Sequence, residues 1–182
     1  MTLEEIIIII FRLIGSFAVF IHPFYGAISV ILIDFSDLIL MNLLKLGGVS
    51  NYQTLDKILD ISYMITFLII MLRFNKKERY IGYSLFIYRI IGVIIYEIYK
   101  SRIILFIFPN FFEVWIIGIS ALNLSKNHSI LTKKNIYLLI IPLFVIKIFQ
   151  EYILHINKVL DNYTLIEFIE IFIKLTLINL LL

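Results

Sequence analysis

Long apolar runs broken by short polar punctuation fill the chain from one end to the other. A membrane helix needs about 20 mostly apolar residues, and the punctuation marks out seven such runs. The first covers about Leu3 to Ile21 and ends at His22-Pro23, because the residue before a proline is pushed out of helical geometry. The second runs from about Phe24 to Lys45 and is closed by Gly47-Gly48, and the third spans about Thr54 to Leu72. A basic segment, Arg73 to Arg79, separates it from the fourth, about Tyr80 to Tyr99. The fifth, about Arg102 to Leu122, contains Pro109, which predicts a bend. After a polar loop over Ser125 to Lys134 comes the sixth, about Asn135 to His155. The seventh, about Tyr163 to Leu182, carries Glu167, Glu170 and Lys174 and either spans or lies partly in the interface. These runs are too long for barrel strands and lack their alternation. The pattern predicts an all-α integral membrane protein, one polytopic bundle of six or seven transmembrane helices over residues 1–182.

Composition sharpens this picture. The chain is 62% hydrophobic and 16% charged, well beyond the roughly half-apolar usage of soluble domains, so the lipid bilayer is its expected partner. The absence of cysteine excludes disulfides, thiolate metal sites and cysteine nucleophiles. The net charge of +3 comes from scattered residues with no basic stripe, so no nucleic-acid partner is expected. Glu4 and Glu5 stand where a signal peptide has its basic start, and no small-residue cleavage site follows. The first run is therefore expected to be retained. Arg12, near its middle, is expected to snorkel or to face the bundle and pair with an acid.

The ionisable residues inside the runs are not scattered. Asp34 and Asp37 are three apart and Asp56 and Asp60 four apart, so on helices each pair projects from one face. A reversal at Leu46 to Gln53 would set the second and third helices side by side and antiparallel. Alternation then places the Tyr99 to Arg102 junction and the Ile156 to Asn162 loop on the same membrane side as that reversal. Asp34, Asp37, Asp56, Asp60, Glu97, Arg102, Asn110, Glu113, Gln150, Glu151 and His155 all fall nearest that side. The loop bases Arg73, Lys76, Lys77, Arg79, Lys126, Lys133 and Lys134 fall on the other. This predicts one polar chamber in half of the bilayer. By the positive-inside rule the Arg73 to Arg79 loop is cytoplasmic and the chamber opens outward.

D-x-x-D followed, after a turn, by D-x-x-x-D on the next helix resembles the CDP-alcohol phosphotransferases, membrane enzymes that make phospholipids and related phosphodiesters. Their pattern is D-x-x-D-G-x-x-A-R, eight residues, then G-x-x-x-D-x-x-x-D. Both within-pair spacings match here, Asp37 to Asp56 is one residue longer, and Leu55-Asp56 resembles the Leu-Asp common at the third aspartate. Leu38, Met41, Asn42 and Tyr52 stand where that family has glycine, alanine, arginine and glycine, the positions that serve the nucleotide. The resemblance covers about 27 residues, Asp34 to Asp60. It implies Asp34, Asp37 and Asp56 as metal ligands and Asp60 as the base or a shared ligand. It also implies Mg²⁺ or Mn²⁺, matching the preference of hard cations for oxygen donors. The substrate would be a lipid or another phosphate-containing small molecule.

Three further groups carry candidate chemistry. Arg89, near mid-bilayer, must face the chamber, either as a charge partner of Asp34 or Asp60 or as a phosphate contact. Pro109-Asn110 predicts a kink whose freed carbonyl can take a ligand. Glu151 and His155, four apart on one face, suit metal ligation or a proton relay. Glu97, Arg102, Asn110 and Glu113 are expected to point inward beside them. Three function classes fit: a divalent-metal-dependent phosphotransferase, a carboxylate-lined cation or proton transporter, and a structural membrane subunit. In the last, the aspartates are satisfied by Lys57, Arg89 and Arg102. Aspartates outnumbering nearby bases favours the active classes, and the lack of an internal repeat favours the enzyme over the carrier.

Overall fold

The computed structural model describes residues 2–44, 50, 52–124, 134, 136–157, 167 and 174. Among these every regular element is helical. Helix α1 (Leu3–Ser16) starts in a capping box in which Thr2 accepts from the Glu5 backbone and Glu5 accepts from Thr2. It ends at Gly15-Ser16, a small-residue pair of the kind that kinks helices, and a four-residue turn follows, α2 (Ala18–Ile21). The expected single first helix is thus broken in two. Helix α3 (Pro23–Leu44) begins at the expected proline. A Cβ on Gly26 would lie 2.3 Å from the Val19 Cα, so only glycine lets α3 double back this tightly on α2.

Helix α4 (Tyr52–Ile70) ends in a 3-10 turn, Met71–Arg73. Helix α5 (Lys76–Tyr99) starts inside the segment expected to be loop, because Asn75 and Glu78 form a capping box. The fifth run is divided at Pro109 into α6 (Arg102–Ile107) and α7 (Phe111–Leu124). Helix α8 (Ile141–Glu151) is flanked by π-helical turns at Ile136–Ile140 and Tyr152–Ile156. The expected seventh helix apart from Glu167 and Lys174, the Leu46 to Gln53 reversal apart from Ser50, Tyr52 and Gln53, and the Ser125 to Lys134 loop apart from Lys134 lie outside the described residues.

Among the described residues, three helical stretches are long and apolar enough to cross a membrane: Lys76–Tyr99, Arg102–Leu124 and Leu138–Ile156. The outer surface is rich in apolar side chains such as Ile14, Phe17, Ile21, Ile98 and Phe149, while Arg12, Asp37, Lys57, Asp60, Arg89, Glu113, Lys147 and Glu151 are buried. A protein greasy outside and charged inside suits a bilayer rather than water. An apolar core of Met64, Phe67, Ile70, Met71, Phe112, Trp115 and Ile119 joins α4 to α7 beneath the charged region.

Among the described residues, α1 lies against both α3 and α4, and α7 also touches both. The arrangement has an electrostatic reason. Carboxylates from α3 and α4 repel at close range, and α1 supplies the cation that lets them converge. Gly15 permits the approach, since a Cβ there would sit 2.3 Å from Ile33 Cδ1 on α3.

Candidate functional site

Arg12 is the hub of the site. Two helical turns before it, Glu5 accepts from the backbone N–H (3.2 Å) and hydroxyl (3.1 Å) of Ser50, pinning the start of α1 near that of α4. Buried positions Glu5, Ile8, Arg12 and Ser16 fall on one face of α1 and aim Arg12 between α3 and α4. Its guanidinium donates to Asp37 Oδ2 (3.0 Å), Asp56 Oδ1 (3.0 Å) and Asp60 Oδ1 (2.9 Å), and is ion-paired with Asp34. All four aspartates of the sequence motif therefore meet around one side chain. The inward, acid-paired alternative for Arg12 is the one adopted. Arginine suits the position because its planar fork presents five donors.

Lys57 and Arg89 complete this cluster. Lys57 pairs with Asp56 and lies 4.0 Å from Asp60; Arg89 Nη2 is 3.4 Å from Asp60 Oδ2. Arg89 also donates through Nη1 to the Phe108 carbonyl at 2.8 Å, one of the groups freed by the break before Pro109. Tyr88 donates its hydroxyl to the other, at Ile107. Gly92, one turn beyond Arg89, makes this possible: a Cβ there would lie 2.2 Å from Phe108 Cβ. Two carbonyls at the break, those of Ile107 and Phe108, are thus held by α5.

A second cluster adjoins the first. Asn110 caps α7 by accepting from the Glu113 backbone (3.4 Å), and its amide donates to Tyr63 Oη (2.8 Å) and Glu113 Oε2 (3.2 Å). Tyr63 also donates to Glu113 Oε2 (3.2 Å). Lys147 Nζ stands 3.2 Å from Glu113 and 3.5 Å from Glu151, and His155 Nε2 is 3.0 Å from Glu151 Oε2. The backbone N–H of Asn110 donates to Glu151 Oε1 at 3.4 Å.

Both clusters open on one cavity of about 250 Å³. Its wall includes Asp34, Asp56, Asp60, Arg89, Arg102, Asn110, Glu113, Glu151 and His155 from the sequence-derived set. Asp37 is buried behind it, its Oδ2 on Arg12 and its Oδ1 without a hydrogen-bond partner. Glu97 is a correction: it is exposed and pairs with Lys100, outside the chamber. Sequence reasoning missed Lys147, Tyr63 and Tyr52, which also line the cavity. Lys147, Glu151 and His155 follow at intervals of four, a stripe visible in the sequence; Tyr63 is seven residues after Asp56, on the same face of α4.

The charge inventory also changes. Asp34, Asp37, Asp56, Asp60, Glu113 and Glu151 are met by Arg12, Lys57, Arg89, Arg102 and Lys147, with His155 alongside. The excess of acids over bases stays at one, as for the four aspartates against Lys57, Arg89 and Arg102, before His155 is counted. One oxygen each from Asp34, Asp56 and Asp60 nevertheless lie within 4.8 Å of one another, a spacing that can hold a cation. Asp37 Oδ1 is buried without a hydrogen bond, a spare acceptor at the same place, whereas Asp34 Oδ1 is the oxygen ion-paired with Arg12. No family model, curated protein or solved structure matches this chain.

Proposed function

We propose that the chain is a multi-pass membrane protein of six or seven spans that transfers a phosphate-bearing group to a lipid or headgroup hydroxyl, using Mg²⁺ or Mn²⁺. The observation that carries this reading is a single cavity joining three carboxylates at cation-holding distance to Arg89, Arg102 and Lys147. That mixture is what a diphosphate or phosphodiester donor requires. Its oxygens need charge neutralisation, and its transfer depends on positioning and electrostatics more than on covalent chemistry by the protein. Asp34, Asp56 and Asp60 would hold the cation, with Asp37 behind them; a bound Mg²⁺ or Mn²⁺ supplies charge neutralisation at the reacting phosphate. Arg89 and Lys147 are already held by Asp60 and by Glu113 and Glu151, so they present fixed rather than freely moving charges.

Positive-inside logic puts the Arg73 to Arg79 loop in the cytoplasm and the chamber toward the outer leaflet. Together with Leu38, Met41, Asn42 and Tyr52 at the nucleotide-serving positions of the resembled family, this favours a lipid-linked diphosphate donor over a soluble nucleotide. The test uses the purified chain in nanodiscs with cytidine, uridine and guanosine diphosphate-linked alcohols and with diacylglycerol and polyprenyl diphosphates. Turnover is read by mass spectrometry with and without Mg²⁺ or Mn²⁺. Metal-dependent product, lost in Asp56→Asn, supports the reading. A metal-induced rise in Tm without turnover favours a carboxylate-lined cation pathway. Neither effect, with Asp→Asn variants as stable as the parent, leaves a structural polar core.

A further inference from the structure

The transferase reading needs a group to take the proton of the attacking hydroxyl, and the family resemblance assigns this to Asp60. The geometry argues otherwise. Asp60 Oδ1 accepts from Arg12 at 2.9 Å, and Oδ2 is 3.4 Å from Arg89 and 4.0 Å from Lys57. A carboxylate whose two oxygens are both held by fixed cations is a poor proton acceptor. Asp56 is similarly committed, one oxygen to Arg12 and the other to Lys57. Glu113 Oε2 already accepts from Tyr63, Asn110 and Lys147.

His155 is different. Among the described residues it is the one histidine on the cavity wall, in the π-helical turn that follows α8. Its Nε2 lies 3.0 Å from Glu151 Oε2, so in the neutral ring Nε2 carries the hydrogen and donates it, leaving the lone pair on Nδ1. Nδ1 has no partner among the described residues. Glu151 is held in turn, its Oε1 facing Lys147 Nζ (3.5 Å) and the Asn110 backbone N–H (3.4 Å). A base oriented by a carboxylate that is itself fixed is the arrangement general-base catalysis uses.

We propose that His155, oriented by Glu151, is the general base for the acceptor hydroxyl, and that Asp60 is a positioning residue for the cations around it. This rests on the transferase reading. The acceptor O–H gives its proton to His155 Nδ1, its oxygen forms the new bond to phosphorus, and the donor's P–O bond to the leaving phosphate breaks. The leaving group departs with the electron pair, and Glu151 stabilises the imidazolium until the proton is released to solvent. The charged groups that share the cavity wall with His155 are Glu151 and Lys147 on α8, Arg102 on α6, Arg89 on α5, Glu113 on α7, Asp34 on α3, and Asp56, Lys57 and Asp60 on α4.

The experiment takes whichever donor in the panel above turns over, in nanodiscs with Mg²⁺, and records kcat and donor KM from pH 5 to 9. His155→Gln is expected to lower kcat about 10²- to 10⁴-fold, with donor KM and the Mg²⁺-induced Tm shift unchanged and the acidic limb of the profile lost. His155→Gly is expected to regain rate with added imidazole, and Glu151→Gln to fall between the two. His155→Gln within threefold of wild type with its acidic limb intact, or loss of that limb in Asp60→Asn alone, overturns the proposal. Absence of turnover by the wild-type chain with every donor, while the Mg²⁺ shift persists, removes the transferase reading itself and this step with it.

Discussion

Replacing Arg12 by glutamine is the sharpest perturbation of the polar core. Arg12 is 4% exposed, and its guanidinium is the shared partner of all four aspartates. Glutamine keeps much of the volume and an amide donor but removes the charge, leaving Asp34, Asp37, Asp56 and Asp60 with only Lys57 and Arg89. Removing one partner of a buried ion pair costs about 3–5 kcal/mol, and here one cation serves several pairs. At about 2–4 °C of Tm per kcal/mol for a chain of this size, the expected fall is roughly 6–20 °C. The same substitution empties the place between the carboxylates, so a divalent cation becomes more valuable than in the parent. Bound at a hundredfold excess over its Kd it returns about 2.7 kcal/mol. Thermal unfolding in nanodiscs, followed by intrinsic fluorescence with EDTA or with Mg²⁺ or Mn²⁺, should therefore show a larger metal-induced rise for Arg12→Gln than for wild type. Arg12→Lys should fall between, because an ammonium cannot fan its donors toward four acceptors. An Arg12→Gln chain melting within about 2 °C of wild type, or one with no greater metal response, would refute the argument that this side chain holds the cluster together.

Asp56→Asn should keep the helical circular dichroism spectrum but lose most of the Mg²⁺ or Mn²⁺ response in the same melting assay. Gly92→Ala should destabilise by about 1–3 kcal/mol, because the new methyl would overlap Phe108 and push the α6–α7 break away from Arg89; a normal Tm would contradict that contact. Lys147→Met strands Glu113 and Glu151 without their shared cation and should cost about 3–5 kcal/mol, whereas pairing it with Glu113→Gln should recover part of the loss. A cysteine at Ser50 should react with an impermeant thiol reagent added to intact cells, and labelling only after permeabilisation would reverse the proposed orientation.

Much of the site was legible because helical phase is local. The aspartate pairs and the Glu151–His155 pair were read from spacings of three or four and the Pro109 break from the proline itself, whereas the Asn75–Glu78 cap and Lys147, four residues before Glu151, carry the same spacings and were overlooked. Glu97 was misplaced by neglecting the same rule. It lies eight residues after Arg89, about 80° around the helix at 100° per residue, past the buried face of Gly92, Val93 and Tyr96. Lys100, three residues on, meets it at the surface. The placing of α1 against both α3 and α4 was not legible in this way, since it depends on partners 22 to 48 residues apart. The sequence offered only an arginine near the middle of an apolar run, and the identity of its acids is a property of the assembled bundle. Asp60 shows the limit of motif spacing as evidence for role, because spacing says nothing of which cations surround a carboxylate.

The hub arginine also imposes an order on biogenesis. Arg12 leaves the ribosome on the first hydrophobic segment, while its last partner, Asp60, is made 48 residues later. At about 5–20 residues per second, the guanidinium waits roughly 2–10 s for its full set of carboxylates. During that interval an arginine at the centre of a lone helix costs about 2.5–3.5 kcal/mol on the insertion scale. On the proposed multi-pass reading, the first segment would dwell at the membrane interface or in the shelter of the translocation machinery and settle into the bilayer only once the third run has been synthesised. Integration of the first three hydrophobic segments would then be a joint act, and truncation before Asp56 should leave the first one extractable by carbonate.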